Sequence, residues 1–190
     1  MKHPEFFLVP AFMLADYFLT LAGAARKEKR HGDHFNIEHY ELNPIWQRHV
    51  AQRKWFNPRH IVLTVAVTSL LIPLVEFGAM PEFLLSGLLG CLLVFFGMVI
   101  GRHVSNLMTF EHLIRQPDEI SGQVTMTHAL LLWLSLYQYV AVIVPLALIG
   151  LFAPSPFVAG AMFASVLLLM VHLRWIRRHR REAKTSDKHG

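Results

Sequence analysis

The sequence predicts an all-α membrane protein with five transmembrane helices. Three observations carry that expectation. The 190-residue chain is 54% hydrophobic and only 16% charged, too apolar for an ordinary soluble domain. Its apolar residues fall into five blocks of roughly 20 or more residues. At ~1.5 Å per residue, each can cross a ~30 Å hydrocarbon core. The 18 Lys and Arg residues are the third observation, because alternate loops hold 17 of them and the other loops hold one, Lys2. The positive-inside rule then places the N-terminus outside and the C-terminus inside, and an odd number of spans agrees. A prokaryotic cytoplasmic membrane is the expected location.

The spans are expected at about 6–25, 60–80, 82–105, 124–152 and 157–175, with a cytoplasmic loop over 26–59. Residues 1–175 form a single membrane domain, and 176–190 form a basic tail. A signal peptide competes for the first span, since "LAGAA" at 21–25 resembles a cleavage site. The flanks argue against it: Lys2 alone precedes the run, whereas Arg26, Lys27, Lys29 and Arg30 follow.

In the 26–59 loop, Asn43-Pro44 and Asn57-Pro58 each read as a helix start. Asn is a strong cap, and Pro suits the first helical position because its missing N–H would be unsatisfied there. Asn43 should open a short helix to about Lys54, whose Ile45, Trp46 and Val50 alternate with Arg48 and Arg53. That composition fits a helix lying in the headgroup region. Asn57 should open the second span, which Pro73 loosens or kinks.

The third span carries Ser86, Gly90, Gly97, Gly101 and Ser105 on one face. Small residues let backbones approach closely, either inside the bundle or across a seam between copies or partners. The span should run on through "RHVSNLMTFEHLIR" until Gln116-Pro117. The tail "RWIRRHRREAK" fits a clasp on anionic lipid headgroups better than a nucleic-acid site, because it directly follows a membrane span. Cys91 is the only cysteine, so no intrachain disulfide and no cysteine-based zinc site exist.

Candidate chemistry begins with Asp16, near the centre of "FMLADYFLTLAG". A carboxylate there costs about 2.5–3.5 kcal/mol on insertion scales, so it should face the bundle or a wet cavity. Thr20 lies one turn further along and can donate a hydrogen bond. Histidine is the second anomaly. Of 12 histidines, all but His3 belong to the predicted cytoplasmic side. Imidazole and carboxylate together ligate zinc and other divalent metals, and imidazole carries protons near neutral pH. His39, Glu41, His103 and His128 are the expected members of such a cluster, although no His-Glu-x-x-His spacing is present. Gln138, on one face of the fourth span with His128 and Ser135, should extend a polar path with Asp16 and Thr20. Each of these residues also has a plain structural role available, as an interhelical hydrogen-bonding group or an interfacial side chain.

Asp16-x-x-x-Thr20 followed by Glu41-Leu42-Asn43-Pro44 resembles the DUF5658-like small membrane proteins of bacteria and archaea. These carry Asp-x-x-x-Thr on the first helix and Glu-x-Asn-Pro leading into the next helical segment. The resemblance covers about residues 12–45, and the gap between its two halves is long and basic in this chain. It implies that Asp16, Thr20, Glu41 and Asn43 act as one structural unit, and it implies no activity.

The leading expectation is therefore a protein that binds or conducts a cation, either a proton or a divalent metal such as zinc. Asp16, Thr20 and Gln138 would lie in the membrane, and the His/Glu cluster would form the cytoplasmic mouth. A membrane-embedded metal-dependent hydrolase of lipids or peptides is the second expectation, with no catalytic residue assignable. A non-catalytic subunit or scaffold held through the third span is another.

Overall fold

The computed structural model describes residues 3–30, 35–37, 42–119 and 121–186. A short 3-10 turn, Pro4–Phe7, leads into α1 (Leu8–Arg30). Strand β1 (Phe35–Ile37), α2 (Pro44–Ala51), α3 (Pro58–Glu76) and α4 (Glu82–Arg115) follow. The chain ends with β2 (Val124–Met126), α5 (His128–Phe152) and α6 (Pro156–Ser186). Five helices are long and apolar enough to cross a membrane: Pro4–Lys27, Pro58–Glu76, Glu82–Arg115, His128–Phe152 and Pro156–Arg181. Large apolar side chains such as Leu70, Leu151 and Phe152 stand exposed on them, as lipid contact requires.

Local signals set the boundaries. Asn57 caps α3 by accepting from the backbone N–H groups of Arg59 (3.1 Å) and His60 (3.4 Å). At α2 the Asn43 carbonyl accepts from Gln47 N–H at 3.2 Å. Helix α3 ends at Glu76, four residues before the expected 80. Gly78 adopts φ +61°, the left-handed turn that closes a helix. Helix α4 continues to Arg115 as its uninterrupted sequence predicts.

The fourth span required correction at its start. Residues 124–126 are strand β2, paired in parallel with β1 from Phe35↔Val124 to Ile37↔Met126. The helix begins only after Thr127, whose hydroxyl accepts from Leu130 N–H at 3.3 Å.

The spanning helices form a row ordered α3, α1, α4, α6, α5 by their contacts. Helix α4 is packed between α1 and α6, whereas α5 lies on α6 and barely meets α4. The α4–α6 contact is made by glycines. A Cβ on Gly90 would collide with the Phe157 carbonyl, and one on Gly160 with the Gly87 carbonyl. Gly97 and Gly101, expected to serve as packing positions with Gly90, have open space beside them instead. The close approach falls two turns earlier, where α6 begins.

Two apolar clusters hold the row. Phe6 of the 3-10 turn and Val9 and Met13 of α1 pack with Leu71, Val75, Leu85 and Leu89. Leu132, Leu136 and Ile176 pack with Leu42 towards the other end. Helices α1 and α4 are also clasped at both ends. His3 Nε2 lies 2.9 Å from Glu82 Oε1, and Arg26 Nε lies 3.3 Å from Glu111 Oε2.

Candidate functional site

Asp16 meets its partner on α4. The Thr20 hydroxyl donates to the Asp16 backbone carbonyl at 2.8 Å, one turn back along α1. Its proton thus committed, Thr20 Oγ1 accepts from His103 Nε2–H at 3.0 Å. The same Nε2 lies 3.2 Å from Asp16 Oδ1. That oxygen is buried and accepts no hydrogen bond, because the ring N–H is directed at Thr20. His103 Nδ1 is buried and unpartnered as well. Thr20 is 4% exposed and His103 3%. A carboxylate oxygen and an imidazole nitrogen therefore sit together with unused hydrogen-bonding capacity, which native interiors seldom leave.

The residue before His103 faces the other way. Arg102 Nη1 donates to Ser135 Oγ at 2.9 Å and approaches the Tyr139 hydroxyl at 3.5 Å, both on α5. Ser135 stands 3.3 Å from His172 Nε2 on α6. His172 Nδ1 lies 3.0 Å from the Leu168 carbonyl and must donate to it. Nε2 is then the acceptor, and the bonds run in one direction from Arg102 through Ser135 and His172 to Leu168. A third imidazole serves α3. His60 Nε2–H donates to the Met13 carbonyl at 2.9 Å, and its ring stacks on Tyr17 at 4.8 Å. The Tyr17 hydroxyl in turn donates to the Lys54 carbonyl beyond α2.

A pocket of about 520 Å³ separates α4 from α5. Arg102, His103, Asn106, Thr109 and Phe110 line it from α4. Leu131, Leu134, Ser135, Tyr137, Gln138 and Ala141 line it from α5, with Leu42 and Met126 at one end. It exists because α5 leans on α6 and leaves α4 uncovered on this side.

The expected site residues are thus divided. Asp16, Thr20 and His103 come together. Gln138 lines the adjoining pocket with His103 but is exposed on its outer side. His128 opens α5, with its ring 5.6 Å from that of His179 on α6. His39 and Glu41 lie outside the described residues. Among the described histidines, His60, His103 and His172 serve three different helix contacts, and His112 pairs with Glu119 at 2.7 Å. Among the described residues no three of His, Cys, Asp or Glu gather as metal ligands would.

Sequence reasoning missed Arg102 and the link from Ser135 to His172. Arg102 was legible as the first charge after nineteen uncharged residues, immediately before a histidine. Comparison with protein-family models, curated proteins and solved structures found no match. The site's own chemistry is consequently the basis for a functional reading.

Proposed function

We propose that the chain is a multi-pass membrane protein that binds a proton within the membrane at the Asp16–His103 pair. One observation carries the reading: among the described residues, a buried carboxylate oxygen and a buried imidazole nitrogen of one pair both lack a hydrogen-bond partner. A proton added at His103 Nδ1 makes an imidazolium whose charge Asp16 offsets 3.2 Å away. A proton added at Asp16 Oδ1 makes a neutral acid that can itself donate a hydrogen bond. The other ionisable groups around the pair are Arg102 on the same helix, Tyr139 on α5 and, through Ser135, His172 on α6. His103 also lines the α4–α5 pocket, which gives the proton a route towards the basic end. By the distribution of lysine and arginine, that end is cytoplasmic, in keeping with a prokaryotic inner membrane.

The test is proton uptake and flux in liposomes containing the purified protein. Asp16→Asn and His103→Gln should each reduce the signal at least about tenfold in folded protein. Flux in both variants equal to that of the native chain would overturn the proposal. Elemental analysis of protein purified without a His-tag separates the divalent-metal alternative. A stoichiometric metal that is lost in His103→Ala would favour it.

A further inference from the structure

We propose that the pocket between α4 and α5 binds an amphiphile with an anionic head, taken up sideways from the bilayer, with Arg102 holding the head. His103 lines the same pocket, but the inference rests on Arg102 and the apolar walls and is tested without altering Asp16 or His103.

Charge is the first ground. Arg102 makes its hydrogen bonds through one nitrogen, to two neutral oxygens, Ser135 Oγ and the Tyr139 hydroxyl. Among the described residues it has no carboxylate partner. A guanidinium offers five N–H donors in a planar fork that matches carboxylate or phosphate, and a half-buried cation facing a pocket favours an anion there.

Depth is the second. Arg102 follows Glu82 by 20 residues, about 30 Å of helix, or one hydrocarbon thickness. The guanidinium, and the Asp16–His103 pair whose imidazole is next to it in sequence, therefore lie near the basic-end boundary of the hydrocarbon, where acyl chains approach the headgroups. Asn106 and Thr109 extend the polar wall beyond it, towards the basic end.

The third ground is shape. The volume of about 520 Å³ is that of a small-molecule site. Leu134 is 42% exposed and Tyr137 57%, so the mouth opens on the outer surface of the helix row, where lipid would lie. An acyl chain leaving the pocket past Leu134 and Ala141 stays in apolar surroundings throughout. A fully polar anion would have no use for those walls.

The shared chemistry is an anionic head on an acyl chain, and either an anionic phospholipid or a free fatty acid supplies it. The test uses nanodiscs of zwitterionic lipid doped with phosphatidylglycerol in one arm and oleate in the other. Native mass spectrometry counts retained anionic amphiphile, and thermal unfolding reads its affinity. The native chain should retain one molecule in at least one arm, and the arm identifies the source. Arg102→Gln should weaken retention about tenfold or more, as loss of a charge-assisted contact does. Leu134→Trp, which fills the mouth on an exposed face and leaves Arg102 in place, should weaken it too and serves if Arg102→Gln does not fold. Arg177→Gln with Arg181→Gln, in the basic tail, should leave that molecule bound. Retention unchanged in both pocket variants, or lost only in the tail variant, would overturn the proposal, as would no retained amphiphile in either arm.

Discussion

If Asp16 and His103 form an ionised pair, they should show a coupling energy too large for a neutral hydrogen bond. The perturbations are Asp16→Asn, which keeps the side-chain shape, and His103→Gln, which keeps a donor near the place of Nε2. Their separation is 3.2 Å, with His103 4% exposed and Asp16 26%. Two unit charges at that distance attract by about 5 kcal/mol at an effective dielectric of about 20, and by about 1.3 kcal/mol in bulk water. Partial exposure of Asp16 places the expected coupling between those limits. Neutral interhelical hydrogen bonds in membranes average only about 0.6 kcal/mol in double-mutant cycles. The assay is a full cycle of native, two single variants and the double, unfolded in the same nanodiscs. A coupling above ~1.7 kcal/mol, the largest found for neutral interhelical bonds, supports an ionised pair. A value of ~0.6 kcal/mol or less would reduce Asp16 to a neutral bonding group and refute the charge argument.

Other predictions follow from single contacts. Both ring nitrogens of His3 face carboxylates, Glu5 at 2.8 Å and Glu82 at 2.9 Å, and these bonds raise its pKa above the ordinary 6.5. The folded state then binds the proton more tightly, so this stabilisation is fully present below about pH 6.5 and fades as pH climbs through the raised value. His3→Gln should therefore flatten the profile of unfolding midpoint against pH from about 6.5 upwards, and an unchanged profile would contradict the clasp. Gly160→Ala drives a methyl group into the Gly87 carbonyl and should cost about 1–3 kcal/mol by thermal unfolding, whereas Gly97→Ala, with open space around it, should cost far less. Ser135→Ala leaves Arg102 only its 3.5 Å approach to the Tyr139 hydroxyl and removes the donor to His172 Nε2, and should destabilise by about 1–3 kcal/mol, checked by the same measurement.

The helices were legible because their signals are local. Asn57-Pro58 starts α3 and Gln116-Pro117 stops α4 through caps and proline geometry that need no distant partner. Asp16 and Thr20 were legible as a pair for the same reason, being one helical turn apart. Their partner was expected at Gln138 or at the start of α2, and His103 supplies it. That choice depends on which helices adjoin α1, and helix order in a bundle is not encoded in the apolar character of each helix. The glycines show the same limit: Gly90 and Gly97 share a face, and only the position of α6 decides which is crowded. The β1–β2 pairing was hidden because three-residue strands carry no readable period.

The order of the row also explains why Arg102 and His103 occupy consecutive positions. Neighbouring helical residues point about 100° apart, so they cannot share a partner. His103 turns to α1 and binds Thr20 beside Asp16, while Arg102 turns to α5 and, through Ser135, reaches His172 on α6. Two adjacent side chains on the central helix thus join four of the five spans in one polar layer, and His60 attaches α3 to α1 by way of Met13. Bonds of this kind are directional, whereas the apolar contacts of the row are not, so the layer fixes which residues face one another. It also places a fixed positive charge next to the only membrane-embedded carboxylate–imidazole pair among the described residues.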